Sequence, residues 1–278
     1  MLKMEGMGLM AIMEKKSSSD LLLDKLVDLH CHILPEIDDG SPNMEVSVEL
    51  ARKAVANGVT HILATPHHLD RNYINHASDV IKKTELFQNR IDSEKIPLKI
   101  FPGQEVHLRG DLIYKLDDIL GVDGGKKYIL LEFPHVGVPN YSKKIIFELL
   151  KRGVTPIIVH PERNREIQKN INILFDLISS GALAQVTATS YMGGFGEKVS
   201  SISKKMIEHG LVQVVASDAH ALDGREFVLG EALRKISKDF GIEKARKFEL
   251  NAERLINGQI IDPFNYTSIK KHLFFFRR

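Results

Sequence analysis

The chain has 278 residues, 43% hydrophobic and 27% charged, enough to bury a sizeable core in one α/β barrel or two small domains. Lys and Arg number 38 against 36 Asp and Glu, and the formal net charge of +2 lacks the broad basic footprint of nonspecific nucleic-acid binding. The single cysteine makes no intramolecular disulfide, and no apolar run approaches the ~20 residues that cross a bilayer, so a cytoplasmic protein is expected.

Residues 1–24 carry Met4, Met7, Met10 and Met13, then Lys15, Lys16 and a serine run, without the apolar stretch and cleavage site of a signal peptide; they read as an N-terminal extension. Strand-like apolar runs follow at Leu26–Leu29, Val59–Ala64, Leu98–Phe101, Tyr128–Glu132, Thr155–Val159, Leu183–Thr187 and Leu211–Ala216. Between the first two, Met44–Asn57 has helical spacing of Val48, Leu50, Ala51, Ala54 and Val55, a start at Ser41-Pro42 and a stop at Gly58. Gly153, Gly181 and Gly210 repeat that stop shortly before a strand. Seven helix-glycine-strand units predict a parallel sheet curled into a closed or distorted barrel over residues 25–260, with function at the C-terminal strand ends. Residues 261–278 form a tail ending in Lys270-Lys271-His272-Leu273-Phe274-Phe275-Phe276-Arg277-Arg278, where aromatics flanked by cations suit weak contact with a membrane surface or packing on the chain's own domain.

Polar residues gather after those strands. His30-Cys31-His32 follows the first, Thr65-Pro66-His67-His68 the second, and then come Gly103-Gln104-Glu105, Pro134-His135, His160-Pro161-Glu162-Arg163 and Asp218-Ala219-His220. Strand alternation puts His30 and His32 on one face and Cys31 on the other. Either histidine pair alone is weak, since imidazoles also cap and pack; six such groups at one sheet edge point to a site. Neutral nitrogen with anionic oxygen suits a multinuclear centre of Mn, Fe or Zn, and the lack of further cysteines argues against a structural zinc site. Arg163 and Arg225 lie three and five residues beyond His160 and His220, in reach of the same mouth, and guanidinium binds phosphate bidentately. A thiol phosphatase needs Arg six positions after its cysteine, and position 37 is Ile.

Asp28-Leu29-His30-Cys31-His32-Ile33-Leu34-Pro35, Asp38-Asp39-Gly40, Ala64-Thr65-Pro66-His67-His68, Val159-His160-Pro161-Glu162-Arg163-Asn164 and Ser217-Asp218-Ala219-His220 together resemble bacterial tyrosine phosphatases of the polymerase and histidinol phosphatase (PHP) superfamily, of the CpsB, CapC and YwqE type. The resemblance covers about Leu26 to Asn257 and implies a distorted (β/α)7 TIM-like barrel, the PHP fold. It implies three Mn2+ ions, with Fe or Zn possible in some sites. His30, His32, Glu105 and Asp218 would surround the first; Glu105 would bridge to a second held by His135 and His160; Asp39, His67 and His220 would hold the third. Asp38 rivals Asp39, His68 reads as a supporting or substrate-facing neighbour of His67, and the family pattern does not call for His107. Arg163 and Arg225 match phosphate-binding positions, and Asp218 adds a catalytic role to ligation. The implied reaction is hydrolysis of phosphotyrosine by metal-activated water, on the C-terminal tail of a bacterial tyrosine kinase that controls capsule or exopolysaccharide synthesis. Two rivals remain: a histidinol phosphatase or other small phosphomonoesterase, and a metal-stabilised module that only binds a kinase. The segment His68 to Asn75 reads as a lip over the substrate or a solvated loop, and His61, His76, His209 and His272 as ordinary packing or surface residues.

Overall fold

A computed structural model describes residues 25–221 and 224–269; the extension over 1–24 and the tail from 270 onward lie outside the described residues. Among these, nine strands run in chain order: β1 (Leu26–Cys31), β2 (Val59–Ala64), β3 (His67–His68), β4 (Lys99–Pro102), β5 (Glu105–His107), β6 (Tyr128–Glu132), β7 (Thr155–Val159), β8 (Leu183–Thr187) and β9 (Val214–Ala216). The helices are α1 (Met44–Ala56), α2 (Ala77–Ser93), α3 (Ser142–Lys151), α4 (Arg165–Lys169), α5 (Asn172–Ser179), α6 (Ala188–Met192), α7 (Glu197–Glu208), α8 (Leu229–Phe240) and α9 (Ile242–Ile256).

All strand pairings are parallel, as continuous apolar runs such as the fully buried β6 lead one to expect. The strands are not joined into one continuous sheet. They form a three-stranded sheet, β1-β2-β4, and a six-stranded sheet, β3-β5-β6-β7-β8-β9. Prolines stand where the ladder breaks: Pro66 separates β2 from β3, and Pro102 ends β4 before β5. A proline supplies no N–H for a ladder bond at its position. Two backbone hydrogen bonds cross the seam on the other side, Asp218 N to His30 O at 2.8 Å and His32 N to Ala219 O at 3.0 Å, where Cys31 pairs with Ala219.

Leu29 and Leu63 of the small sheet share one core with Leu130, Ile157, Val159, Val214 and Ala216 of the large one, closed from below by Ala252 and Leu255 of α9. A second, larger core lies between the sheets and the surrounding helices. Asn43 caps α1 by accepting from Val46 N at 2.9 Å. The stops at Gly58, Gly153, Gly181 and Gly210 all have positive φ, as left-handed helix ends require. The first part of the tail packs on the domain: Phe264 meets Phe248, Tyr266 meets Phe175, and Asn172 bonds both N and O of Ile269. No helix among the described residues is long and apolar enough to cross a membrane.

Candidate metal centre

Strand alternation brings His30 and His32 together as the sequence predicts, with Nε2 atoms 3.2 Å apart, while Cys31 is fully buried in the opposite core. Each imidazole is oriented from behind. Nδ1 of His30 lies 2.8 Å from Gln185 Oε1 of β8, and Nδ1 of His32 lies 2.7 Å from Asp38 Oδ2. With Nδ1 bonded from behind in each, the two Nε2 atoms face each other, and Glu105 Oε2 stands 3.3 and 3.2 Å from them. Asp218 Oδ1 completes the group at 3.5 Å from both.

Glu105 heads β5 and is the hub. Its Oε1 sits 2.6 Å from His160 Nε2, and its Oε2 sits 3.0 Å from His67 Nδ1. His67, Glu105 and Glu132 form a second group, with His160 Nε2 3.9 Å from Glu132 Oε1. His32, Asp39, His67 and His220 form a third, in which Asp39 Oδ1 lies 3.4 Å from both His67 Nε2 and His220 Nε2. Asp38 faces the back of His32 instead and also accepts from the backbone N–H of Gly40 and His67. The Asp38-Asp39-Gly40 turn runs so close to the residue after β1 that a Cβ on Gly40 would clash with His32 O. His160 and Asp218 both hold left-handed backbones, φ 35° and 51°, at the ends of β7 and β9. Strain of that kind at non-glycine residues is typical of functional sites.

The arrangement demands cations. Glu105 Oε2, Asp218 Oδ1, His67 Nδ1 and His220 Nε2 are buried without a hydrogen-bond partner, although ligand-type atoms surround them. Protons partly answer that demand. Against burial, Glu105 and Asp39 push His67 up to about 12, and Asp38 pushes His32 up to about 9. Burial with the Arg163 charge takes His160 down to about 4, and burial with the His32 charge does the same to His220. Despite burial, Arg163, His30 and Arg225 hold Asp218 well below the usual carboxylate range. Nitrogen and carboxylate oxygen packed this way fit divalent transition metals.

Both predicted arginines reach the centre: Arg163 Nη2 and Arg225 Nη2 lie 2.8 and 2.9 Å from Asp218 Oδ2. Each keeps a buried Nε without a hydrogen-bond partner, and Arg163 stacks over Phe195, 5.5 Å from the ring centre. His135 is not drawn in. Its side chain is 63% exposed, with Nε2 4.0 Å from Glu132 Oε1, and it belongs to none of the candidate ligand groups among the described residues. Glu132, at the end of β6, groups with His67 and Glu105 instead. A carboxylate closing a fully buried apolar strand was the available signal. His107 Nδ1 pairs with Glu132 Oε2 at 3.1 Å; His68 is fully buried, its Nε2 3.9 Å from Asp118.

Residues 26–257 match the family described as capsular polysaccharide synthesis, CpsB/CapC. The tyrosine-protein phosphatase YwqE of Bacillus subtilis (strain 168) is 40% identical over 238 residues, 85% of this chain and 93% of that protein. A putative tyrosine-protein phosphatase, CapC of Staphylococcus aureus, is 40% identical over 206 residues, 73% of this chain and 80% of that protein. A solved structure from the pair YwqE of Bacillus subtilis and CpsB of Streptococcus pneumoniae, described as unique metal-dependent tyrosine phosphatases, aligns with a TM-score of 0.85 at 39% identity, over 88% of this chain and 100% of that one. With a match that spans both sheets and the residues of the centre, the chain belongs to the CpsB/CapC family.

Proposed function

We propose that the chain is a metal-dependent protein-tyrosine phosphatase acting in the cytoplasm on a bacterial tyrosine kinase of capsule or exopolysaccharide synthesis. The observation that carries the reading is a pair of partly buried guanidiniums, each with a buried spare Nε–H donor, beside a cluster of carboxylates and imidazoles spaced to hold cations. Family membership and the phosphatase names of the relatives support the substrate class.

His30, His32, Glu105 and Asp218 would hold one cation, Glu105, Glu132 and His160 a second, and Asp39, His67 and His220 a third; Mn2+ suits this mixture of donors. When bound, the cations supply an activated water and offset charge on the phosphoryl oxygens. Arg163 and Arg225 bind two phosphoryl oxygens, and Asp218 keeps both guanidiniums in register by accepting from each at one oxygen. Phe195 holds Arg163 from beneath. A phenol of pKa ~10 leaves without a dedicated acid more readily than an aliphatic alcohol does. The catalytic unit is the domain over 25–260. Its two sheets are read as halves of a distorted seven-unit barrel, β2 with β3 and β4 with β5 each counting once; Gly103 N to Ala64 O at 2.9 Å and Glu105 N to Pro66 O at 3.1 Å support that continuity.

Turnover of a phosphotyrosine peptide and of histidinol phosphate, measured with chelator and with added manganese, tests the reading. Manganese-dependent hydrolysis of the peptide is expected, with a loss on the order of a hundredfold in Arg163→Ala or Arg225→Ala. Preference for histidinol phosphate would replace the substrate assignment, and no metal-dependent turnover of either would reduce the chain to a binding module.

A further inference from the structure

Side chains of the centre are mainly imidazoles, carboxylates and guanidiniums, which suit a phosphoryl group but not the ring on the other side of its ester oxygen. Tyr73 supplies an aromatic surface at the margin of the centre, beside His67. Its ring lies nearly parallel to the His67 imidazole, 5.9 Å between centroids and 13° between planes. His67 is 16% exposed and Tyr73 half-buried, so the stack stands where the centre opens to solvent. The lip that carries Tyr73 makes a local turn before it and is fastened to the domain after it. Asn72 N donates to Asp70 Oδ1 at 2.8 Å, and Asn75 Nδ2 donates to the carbonyls of His67 and Ile37 at 2.8 and 3.0 Å. Gln104 Nε2 in turn donates to Asn75 O at 2.6 Å. A ring held this way needs little further ordering when another ring packs on it.

We propose that Tyr73 is the aryl-recognition residue of the site. The ring of the phosphorylated tyrosine packs against Tyr73 at the margin of the centre while its phosphoryl group meets Arg163 and Arg225. The inference rests on the phosphatase reading and deepens it. The leaving-group advantage of a phenol belongs to the substrate and survives any substitution at position 73; the packing advantage does not.

The test uses metal-loaded full-length protein as wild type, Tyr73→Phe and Tyr73→Leu. Phosphotyrosine and phosphoserine peptides of the same flanking sequence give kcat and KM, metal content is measured for each variant, and phenylphosphonate and methylphosphonate give binding without turnover. Tyr73→Leu is expected to raise KM for the phosphotyrosine peptide and weaken phenylphosphonate by about tenfold, the scale of one aromatic pair. Its kcat, phosphoserine kinetics, methylphosphonate affinity and metal content stay near wild type, and Tyr73→Phe behaves as wild type throughout. Equal losses on both ester classes, or a loss of metal, would make Tyr73 a shield for His67 and overturn the inference while the phosphatase reading stands. Absence of turnover of either peptide by wild type sinks the phosphatase reading itself. In that event, equal wild-type affinity for the two phosphonates overturns the role of Tyr73 as well.

Discussion

Asp38 Oδ2 stands 2.7 Å from Nδ1 of His32, on the side of the ring away from the centre. The bond fixes which nitrogen faces the carboxylates and makes it a better donor to a cation. Gln185 does the same for His30 through a neutral oxygen at 2.8 Å. Asp38→Asn and Gln185→Leu should each weaken metal binding by about 10–100-fold, the usual cost of losing such a partner, with turnover restored by excess metal. Metal titration of the two variants checks this, and wild-type affinity in both would refute it.

Glu132 and His135 offer a sharper contrast. Glu132 is 6% exposed and belongs to a ligand group with His67 and Glu105, whereas His135 points largely into solvent. Glu132→Gln keeps the shape and removes the charge, so it should lower the bound metal by about one ion per chain, consistent with loss of an anionic ligand. His135→Ala should leave metal content unchanged. Elemental analysis after dialysis reads both, and the reverse pattern would restore His135 to the site.

These two residues also mark where sequence reasoning runs out. His30 and His32 were legible because a strand repeats its side-chain direction every second residue, and the other histidines because they follow apolar runs. Glu132 is the final letter of such a run, and His135 sits one residue past Pro134 in a loop that turns it outward. A Gly137 N to Pro134 O bond closes that turn. Asp38 and Asp39 were inseparable by spacing. The difference lies in hydrogen bonds from Gly40 N, His67 N and His32, which pin Asp38 behind the ring. Parallel-sheet grammar came through, but β3 and β5, two and three residues long beyond Pro66 and Pro102, left too short a pattern to read.

Cys31 is fully buried between β2 and the segment after β9, its Sγ 3.7 Å from Ala219 O, and burial raises its thiol pKa well above the usual value. A protonated thiol on the core side of the strand is neither nucleophile nor ligand. Cys31→Ser should therefore keep most of the turnover and all of the metal. Native protein should also resist iodoacetamide, read as an unchanged intact mass. A folded, metal-loaded and inactive serine variant would overturn the assignment.

The raised histidines make metal uptake a competition with protons. Without metal, His67 at about 12 and His32 at about 9 both carry protons near neutral pH, and each must give its proton up before its nitrogen can bind a cation. Uptake near pH 7.5 should release protons, visible as a calorimetric heat that depends on the buffer's ionisation enthalpy, and affinity should climb as pH rises toward 9. Stability of the metal-free protein follows the opposite course. The folded value of His32, about 9, exceeds the ~6.5 of an unfolded chain, so its contribution is fully present below ~6.5 and is lost as pH rises through about 9. Over that window the Tm of chelated protein should fall relative to that of loaded protein, because a bound cation supplies the positive charge that the departing protons withdraw. A gap in Tm that stays constant between pH 6.5 and 9 would mean that protons and metal do not share these sites.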